Sequence, residues 1–397
     1  MGNRAIYAAL ATVGIAAPFV AQAESANVVI YGKLYPQIVQ VRTSGATDAG
    51  GRVSTLSNAA KGDEIRSHTE INASNSRLGF RGTEDLGNGY KAHFQIEQKV
   101  AIDTGEGELG TRNTFVGLSG GFGFVKLGNY DTVYKSIGDT LSFLGISGGN
   151  FVSNSSILSK SALGSGKAGS FHLRAANTVR YESPEFGGLQ FLAQYATDEA
   201  KTDERDPDLQ SYGVKYRNGP LYLALAHEIH TDFFGGSRNA RSSASNFTAA
   251  PGANSRDTGT RATVQYKFGN SRVEVDYAVL KYKESGGVAT GFKEYEQRAY
   301  SISADHKIGN WTIAASYAHA SPEDCSLVGG GACSTSGLDG EQLNLGASYS
   351  LSKRTSLFAL FSRLNNDRSA RFSNLAIGKP DAGADITQAA LGISHSF

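Results

Sequence analysis

Toward its C-terminus the chain alternates residue by residue. Ala389, Leu391, Ile393, His395 and Phe397 fall on one face of an extended strand, and Ala390, Gly392, Ser394 and Ser396 on the other. The segment Tyr90 to Lys99 repeats the pattern with a charged second face: Tyr90, Ala92, Phe94, Ile96 and Gln98 oppose Lys91, His93, Gln95, Glu97 and Lys99. Charges on every second residue cannot face a dry core, so that face meets water. Arg261 to Phe268 follows the same logic, with Ala262, Val264, Tyr266 and Phe268 on the apolar side. Arg272 to Val279, Tyr300 to Lys307, Trp311 to Tyr317 and Gln342 to Leu351 do so as well. Strands with one face in lipid and one in water are the unit of a membrane-spanning β-barrel.

Tight turns and long polar connections alternate between these segments. The turns are predicted at Glu84 to Gly89, Gly120 to Gly123, Pro184 to Gly188, Arg217 to Gly219, Gly269 to Ser271, Lys307 to Asn310 and Ser352 to Arg354. Seven hairpins plus a first strand near Val28 to Val41 and a last near Asp385 to Phe397 give sixteen antiparallel strands. The long connections are expected at 42–75, 101–111, 131–176, 197–210, 231–259, 284–296, 321–340 and 366–384, all at the end opposite the turns. Two features fit poorly. Phe358 and Leu360 fall on the water-facing side, and Pro36 interrupts the first strand without an amide to donate, which suggests a bulge there. The fold class is all-β, a 16-stranded antiparallel transmembrane barrel.

The N-terminus reads as an export signal over residues 1–23: a basic Arg4, an apolar run from Ala5 to Val20, and the small-x-small site Ala21-Gln22-Ala23. The apolar run is short for a membrane span of about 20 residues, and no later segment is long and apolar enough. The barrel domain is then expected over 24–397. Losing Arg4 with the leader leaves 37 Lys and Arg against 37 Asp and Glu, a formal charge of zero. That balance gives no reason to expect a nucleic-acid partner. Cys325 and Cys333 enclose a run containing Gly329, Gly330 and Gly331 that can close a small ring. In an oxidising compartment the pair reads as a loop disulfide in preference to free thiols or a metal site.

Catalytic and cofactor patterns are weak. His227-Glu228-Ile229-His230 resembles a zinc-protease motif, but its second His comes at spacing three within a strand, so the rings do not converge. The glycines of Gly120 to Gly123 lie in a turn with no following helix to receive a phosphate. The expectation is no enzyme, no cofactor and no metal.

Longer motifs carry a resemblance. Tyr31-Gly32, the run Ser76 to Gly89 (SRLGFRGTEDLGNG), Phe115-Val116-Gly117-Leu118 with Phe122-Gly123, Val179-Arg180-Tyr181 before Ser183 to Gly188 (SPEFGG), and the terminal Phe397 together resemble the trimeric general-diffusion porins of the Gram-negative outer membrane. The chain departs from the family pattern at Tyr35, Asn129 and Ser394, positions that bear on fine selectivity. The resemblance implies a sixteen-stranded barrel and a homotrimer, a third external loop folded into the channel, and outer-membrane localisation. It also implies contact with lipopolysaccharide and other outer-membrane lipids, and handling by the barrel-insertion machinery, for which Phe397 is the candidate signal.

The face alternation places Arg77 and Arg180 inward, and Arg112 stands just before the strand that starts near Phe115. By resemblance these three form a basic wall at the narrowest part of the pore. The 131–176 connection is by the same resemblance the folded loop; only Asp131 and Asp139 in it can supply acids, against Lys135, Lys160, Lys167 and Arg174. The expected function is passive diffusion of small hydrophilic solutes and ions with a modest anion preference. The alternatives are a substrate-specific anion channel, a surface adhesin or receptor carried by the loops, and an outer-membrane hydrolase.

Overall fold

The computed structural model describes residues 28–47, 63–73, 75–105, 109–146, 150–164, 169–197, 206–233, 252–286, 289 and 292–397. The candidate leader, residues 1–23, lies outside the described residues. Nearly all regular structure is antiparallel strand. β1 runs in two pieces, Val29–Leu34 and Gln37–Ser44, and β2 in two more, His68–Asn72 and Arg77–Gly87. Then follow β3 (Tyr90–Lys99), β4 (Thr114–Gly120), β5 (Gly123–Asp131), β6 (Arg174–Glu182), β7 (Leu189–Thr197) and β8 (Asp208–Asn218). β9 (Leu221–Thr231), β10 (Asn254–Phe268), β11 (Ser271–Ser285) and β12 (Phe292–Ile308) continue the meander. β13 (Trp311–Leu327), β14 (Gly340–Ser350), β15 (Thr355–Asn366) and β16 (Asp385–Ser396) complete it.

Each strand pairs with its neighbours in sequence, and the sheet closes where β16 meets β1, with Lys33 opposite Ser396 and Asp385 opposite Ser44. Closure leaves no open edge, so every spanning backbone group can be paired within the sheet. The sixteen strands found among the described residues match the number counted from hairpins. All seven predicted turns join the strands they were expected to join; the first, for example, is Asn88-Gly89, both at positive φ, between β2 and β3.

The fold departs from the sequence expectation in two places. Between Lys33, opposite Arg77, and Gln37, opposite Asn72, β1 advances four residues and β2 five. The extra residue therefore sits in β2, facing Pro36, and not in β1 itself. The proline's missing donor faces β16, and on the β2 side the interrupted ladder is bridged by the Tyr35 amide, which donates to Ser76 Oγ at 2.9 Å. On its other side β1 stays in register, with Ile393 N–H donating to Pro36 O at 3.2 Å.

The second departure is strand length. β10 to β13 run on into segments expected as loops, because the alternation continues there in charge instead of apolarity. Lys281 faces Glu296 across the ladder at 2.7 Å, and Lys283 faces Glu294 at 3.0 Å. Such cross-strand pairs support a strand as apolar pairs do.

The outer face carries the apolar band, with Val264, Tyr266, Val275, Tyr277, Ile302 and Leu391 exposed outward. The core lies inside. Residues 132–173 leave β5, form two short helices, α1 (Val133–Ile137) and α2 (Ser155–Leu158), and return to β6. Their contacts run to the inward face of the far wall. Tyr134 N–H donates to Ser211 Oγ at 3.0 Å, Tyr222 OH to Ile137 O at 2.7 Å, and Leu141 N–H to Glu274 Oε2 at 2.8 Å. Gln297 Nε2 donates to Lys160 O at 2.9 Å, and Gln342 Nε2 to Phe151 O at 2.8 Å. Polar side chains that alternation turns inward on β8 to β14 are thus satisfied by this segment and buried beneath it.

Gly213 shows how closely they approach. A Cβ there would lie 2.6 Å from Ile137 Cδ1 and 2.7 Å from Val133 Cγ1. Phe358 and Leu360, on the wrong face by the lipid-and-water rule, are 5% and 4% exposed and pack in one cluster with Phe143, Ile146 and Phe151.

Candidate pore site

Tyr35, Val39 and Val41 of β1 are buried against Phe143, Ile146 and Phe151, but on the adjoining wall of β2 and β3 Arg77, Arg81, Lys91 and Lys99 stay partly or fully exposed. Strand register sets Lys33, Arg77 and Lys99 side by side on β1, β2 and β3. Arg112, just ahead of β4, donates through its backbone to Glu97 O at 3.0 Å and so joins the group.

The acid here is Glu97, 7% exposed, and it serves two of the three predicted arginines. Arg112 Nε lies 2.6 Å from Glu97 Oε1, Arg77 Nε lies 3.8 Å from Oε2, and the Tyr31 hydroxyl donates to Oε2 at 3.0 Å. One carboxylate faces two guanidinium groups, so the trio keeps a net positive charge. Lys33 Nζ reaches across to Gly145 O at 2.5 Å.

A second cluster stands at the outer end of β5. Asp131 is held between Lys135 Nζ at 2.8 Å and Arg174 Nη2 at 2.9 Å, and Arg174 Nε donates to Asn113 Oδ1 at 2.7 Å. Burial lowers the pKa of Lys135, with the Asp131 carboxylate opposing the shift. Six cations, Lys33, Arg77, Lys99, Arg112, Lys135 and Arg174, therefore stand beside two carboxylates, Glu97 and Asp131.

The predicted site residues do not all meet. Arg77 and Arg112 share Glu97. Arg180 is only 3% exposed and is tied down: Nε bonds Glu182 Oε1 at 2.9 Å, Nη1 donates to Asp131 O at 2.8 Å, Nη2 to Ser136 Oγ at 3.0 Å, and the guanidinium lies over the Tyr130 ring. Asp139, at φ 53°, lies apart from them, between Gly138, where a Cβ would meet the Arg261 guanidinium, and Thr140, which bonds Glu274.

The sequence expectation counted Lys135, Lys160 and Arg174 only as charges of the folded loop and left out Lys33 and Lys99 altogether. For Lys33 and Lys99 the signal was present, since they alternate with Ile30 and Ile96. A cavity of about 420 Å³ is lined by Lys99, Lys160, His172, Asn150, Gln37 and Asn374, from the wall on one side and the 132–173 and 367–384 segments on the others. Burial brings the Lys160 amine down to about 8 and holds the His172 imidazole well below its ordinary range.

Cys325, near the end of β13, is joined as a disulfide to Cys333 in the connection between β13 and β14. Phe397 lies on the outer face, its backbone exchanging two 3.1 Å hydrogen bonds with Gly32. His227 and His230 take opposite faces of β9, His227 half-buried against Thr260 and His230 fully buried against Glu228. Among the described residues no three His, Cys, Asp or Glu side chains are grouped to hold a metal ion.

A closed barrel with an apolar outer band and a charge-lined interior is a transmembrane channel of the outer-membrane type. The model of the Gram-negative porin family matches residues 8–369, and the chain belongs to that family: it is an outer-membrane porin, a channel for passive diffusion. The chain is 30% identical over 305 residues to the major outer membrane protein P.IB of Neisseria lactamica, covering 69% of this chain and 82% of that one. A P.IB protein of Neisseria meningitidis serogroup B is 26% identical over 344 residues, 87% of this chain and 89% of that one. Among solved structures, an anion-selective porin from Comamonas acidovorans is similar in fold, with a TM-score of 0.68, 24% identity, and coverage of 94% of this chain and 100% of that one. The outer-membrane protein OmpT of Vibrio cholerae follows at 0.61 and 15%, covering 93% and 97%.

Proposed function

We propose that this porin passes small hydrophilic solutes with a modest preference for anions, and that Arg77 and Arg112, with Lys33 and Lys99 beside them, are the basic side of its constriction. The observation that carries the reading is the sharing of Glu97. Two fixed guanidinium charges with one counter-charge leave an excess that low-dielectric walls focus into the lumen. The 132–173 segment is the other side of the constriction. Asp131 and Asp139 contribute little negative field there, since Asp131 is neutralised by Lys135 and Arg174 and Asp139 stands near Arg261. Arg180 acts as an anchor that fastens the start of this segment to β6. The fold likeness to a porin described as anion-selective agrees with the reading, which stands on this chain's own charges.

We assign the working form as a homotrimer in contact with lipopolysaccharide, inserted by the barrel-insertion machinery with Phe397 as signal, after removal of residues 1–23. The test of selectivity is the reversal potential of the purified protein in a planar bilayer under a salt gradient. The wild type should show an anion-directed potential that shrinks as salt rises, and the double variant Arg77→Gln, Arg112→Gln should move toward cations. An unmoved potential would show that these arginines are ordinary wall charges.

A further inference from the structure

Below the basic row, toward the short-turn end, the same wall holds a feature that ion selectivity does not require. Register places Arg81, Gln95 and Phe115 in one row across β2, β3 and β4; Thr83, His93, Gly117 and Lys126 form the next; Asp85, Lys91, Ser119 and Phe124 form the last. All are on the inward face, and they line most of a recess of about 440 Å³, within the roughly 300–1,000 Å³ of small-molecule pockets.

Two phenylalanines facing a water-filled lumen need an explanation. Elsewhere inward apolar side chains such as Phe358, Leu360 and Tyr222 are 3% to 5% exposed beneath the 132–173 segment. Phe115 and Phe124 stay partly exposed, with the Tyr130 ring edge to face against Phe115 at 5.4 Å. Their rings stand edge to face at 6.1 Å, and His93 lies 4.8 Å from Phe124. Gly117 makes room for this, since a Cβ there would come within 2.7 Å of the Phe124 ring. Lys126 occupies one side of the rings, 4.4 Å from the Phe124 centroid and 5.3 Å from that of Phe115, and pairs with Glu182 at 2.9 Å, a carboxylate it shares with Arg180. The rest of the aromatic surface faces the recess.

The rim supplies charge. Arg81 is exposed, its guanidinium set over the Tyr31 ring at 5.0 Å, and no carboxylate of the described residues lies within ion-pair reach of it or of Lys91. Asp85, the acid among the lining residues, leaves a net charge of one and disfavours a dianion.

We propose that this recess binds small aromatic carboxylates, with the ring against Phe115, Phe124 and His93 and the carboxylate on Arg81 and Lys91. Aromatic pairs supply the ring preference, and a guanidinium matches a carboxylate in two parallel bonds. The inference rests on the reading that anions pass this channel and extends it to a substrate class.

The test is chloride current through the purified protein in a planar bilayer, with benzoate, cyclohexanecarboxylate or acetate added on the short-turn side at constant chloride. Benzoate should reduce the current saturably at millimolar concentration, and acetate should act at least about tenfold more weakly. Phe115→Leu, which keeps volume without the ring, should weaken benzoate block by about 2- to 12-fold. Arg81→Gln, at an exposed position, should weaken it by about tenfold or more. Equal block by benzoate and acetate would overturn the proposal, and so would benzoate block unchanged in both variants. Phe115→Leu changes no charge, so its reversal potential in potassium chloride should equal the wild type's. If the wild type shows no anion preference but benzoate block still depends on Phe115 and Arg81, the selectivity reading falls and the recess stands.

Discussion

Replacing Glu97 with Gln tests the shared-carboxylate arrangement more sharply than removing arginines, because it predicts a gain. The amide oxygen can still accept from Arg112, and the amide NH2 can donate to the Tyr31 hydroxyl oxygen in place of the bond Tyr31 now donates, so both contacts survive while one negative charge goes. A unit charge about 7 Å from a passing ion is worth roughly 0.6 kcal/mol at the dielectric of water. Screening over about 10 Å at 0.1 M salt leaves roughly 0.3 kcal/mol, and over about 3 Å at 1 M under about 0.1 kcal/mol. Anions and cations shift in opposite directions, so the permeability ratio moves by twice this energy. The expected rise in anion over cation permeability is about threefold at 0.1 M and under about 1.3-fold at 1 M, more where the walls lower the dielectric. The assay is reversal potential in matched gradients at both salt levels. A Glu97→Gln channel with an unchanged potential at low salt, or one shifted toward cations, would refute the placement of Glu97 at the constriction. A shift equally large at 1 M would refute an electrostatic cause.

Three further outcomes are expected. Burial holds the Lys160 amine at about 8, so its charge is lost as pH rises through that value; anion preference should fall between pH 7 and 9, and Lys160→Met should flatten this response. Because the folded pKa lies below the unfolded one, the stability contribution is full above about 10.4 and lost as pH falls through about 8, so Lys160→Met should melt higher than the wild type at pH 7. Reducing the Cys325–Cys333 bridge should loosen the β13–β14 connection, read by limited proteolysis, and leave the heat-modifiable folded form intact, since the ring encloses few residues and lies beyond the apolar band; loss of folded protein would contradict this. Deleting Phe397 should lower the amount of folded protein in the outer membrane, whereas a role in packing alone, worth about 1.5 to 3 kcal/mol, would lower only the melting temperature of protein already assembled.

Much of the barrel was legible because its two environments impose a period of two. A residue such as Val264 or Leu391 must meet lipid, its neighbours must meet water, and turn residues such as Asn88-Gly89 mark where the chain reverses. Strand ends were less legible. Beyond the apolar band both faces are polar, and only the pairing of Lys281 with Glu296 and Lys283 with Glu294 reveals that the ladder continues. The site was half legible. Inward direction follows from alternation and is the same for Arg77 and Arg180, but nothing local to Arg180 says that Tyr130 and Ser136 will cover it. Nor can sequence show that Arg77 and Arg112 divide one acid, because Glu97 reaches them only through strand register.

The residues that broke the alternation rule prove to be its most informative members. An apolar side chain on a water-facing wall costs free energy unless something dry covers it. At Phe358 and Leu360 the cover is Phe143 and its neighbours, so the two misplaced residues already implied that a segment lies against that wall. Phe115 and Phe124 break the rule in the same way, yet they stay partly exposed. Lys126, His93 and Tyr130 meet only part of these rings; a solute is the candidate for the remainder, and the cations beside them select its charge. The same reasoning separates the two walls by variant. Phe358→Ser should loosen the inward segment without altering benzoate block, whereas Phe115→Leu should alter block without loosening the segment, and a protease-sensitivity assay run beside the current measurement distinguishes the two. Should both variants change both readouts, the recess and the segment are coupled and the aromatic wall is part of the packing after all.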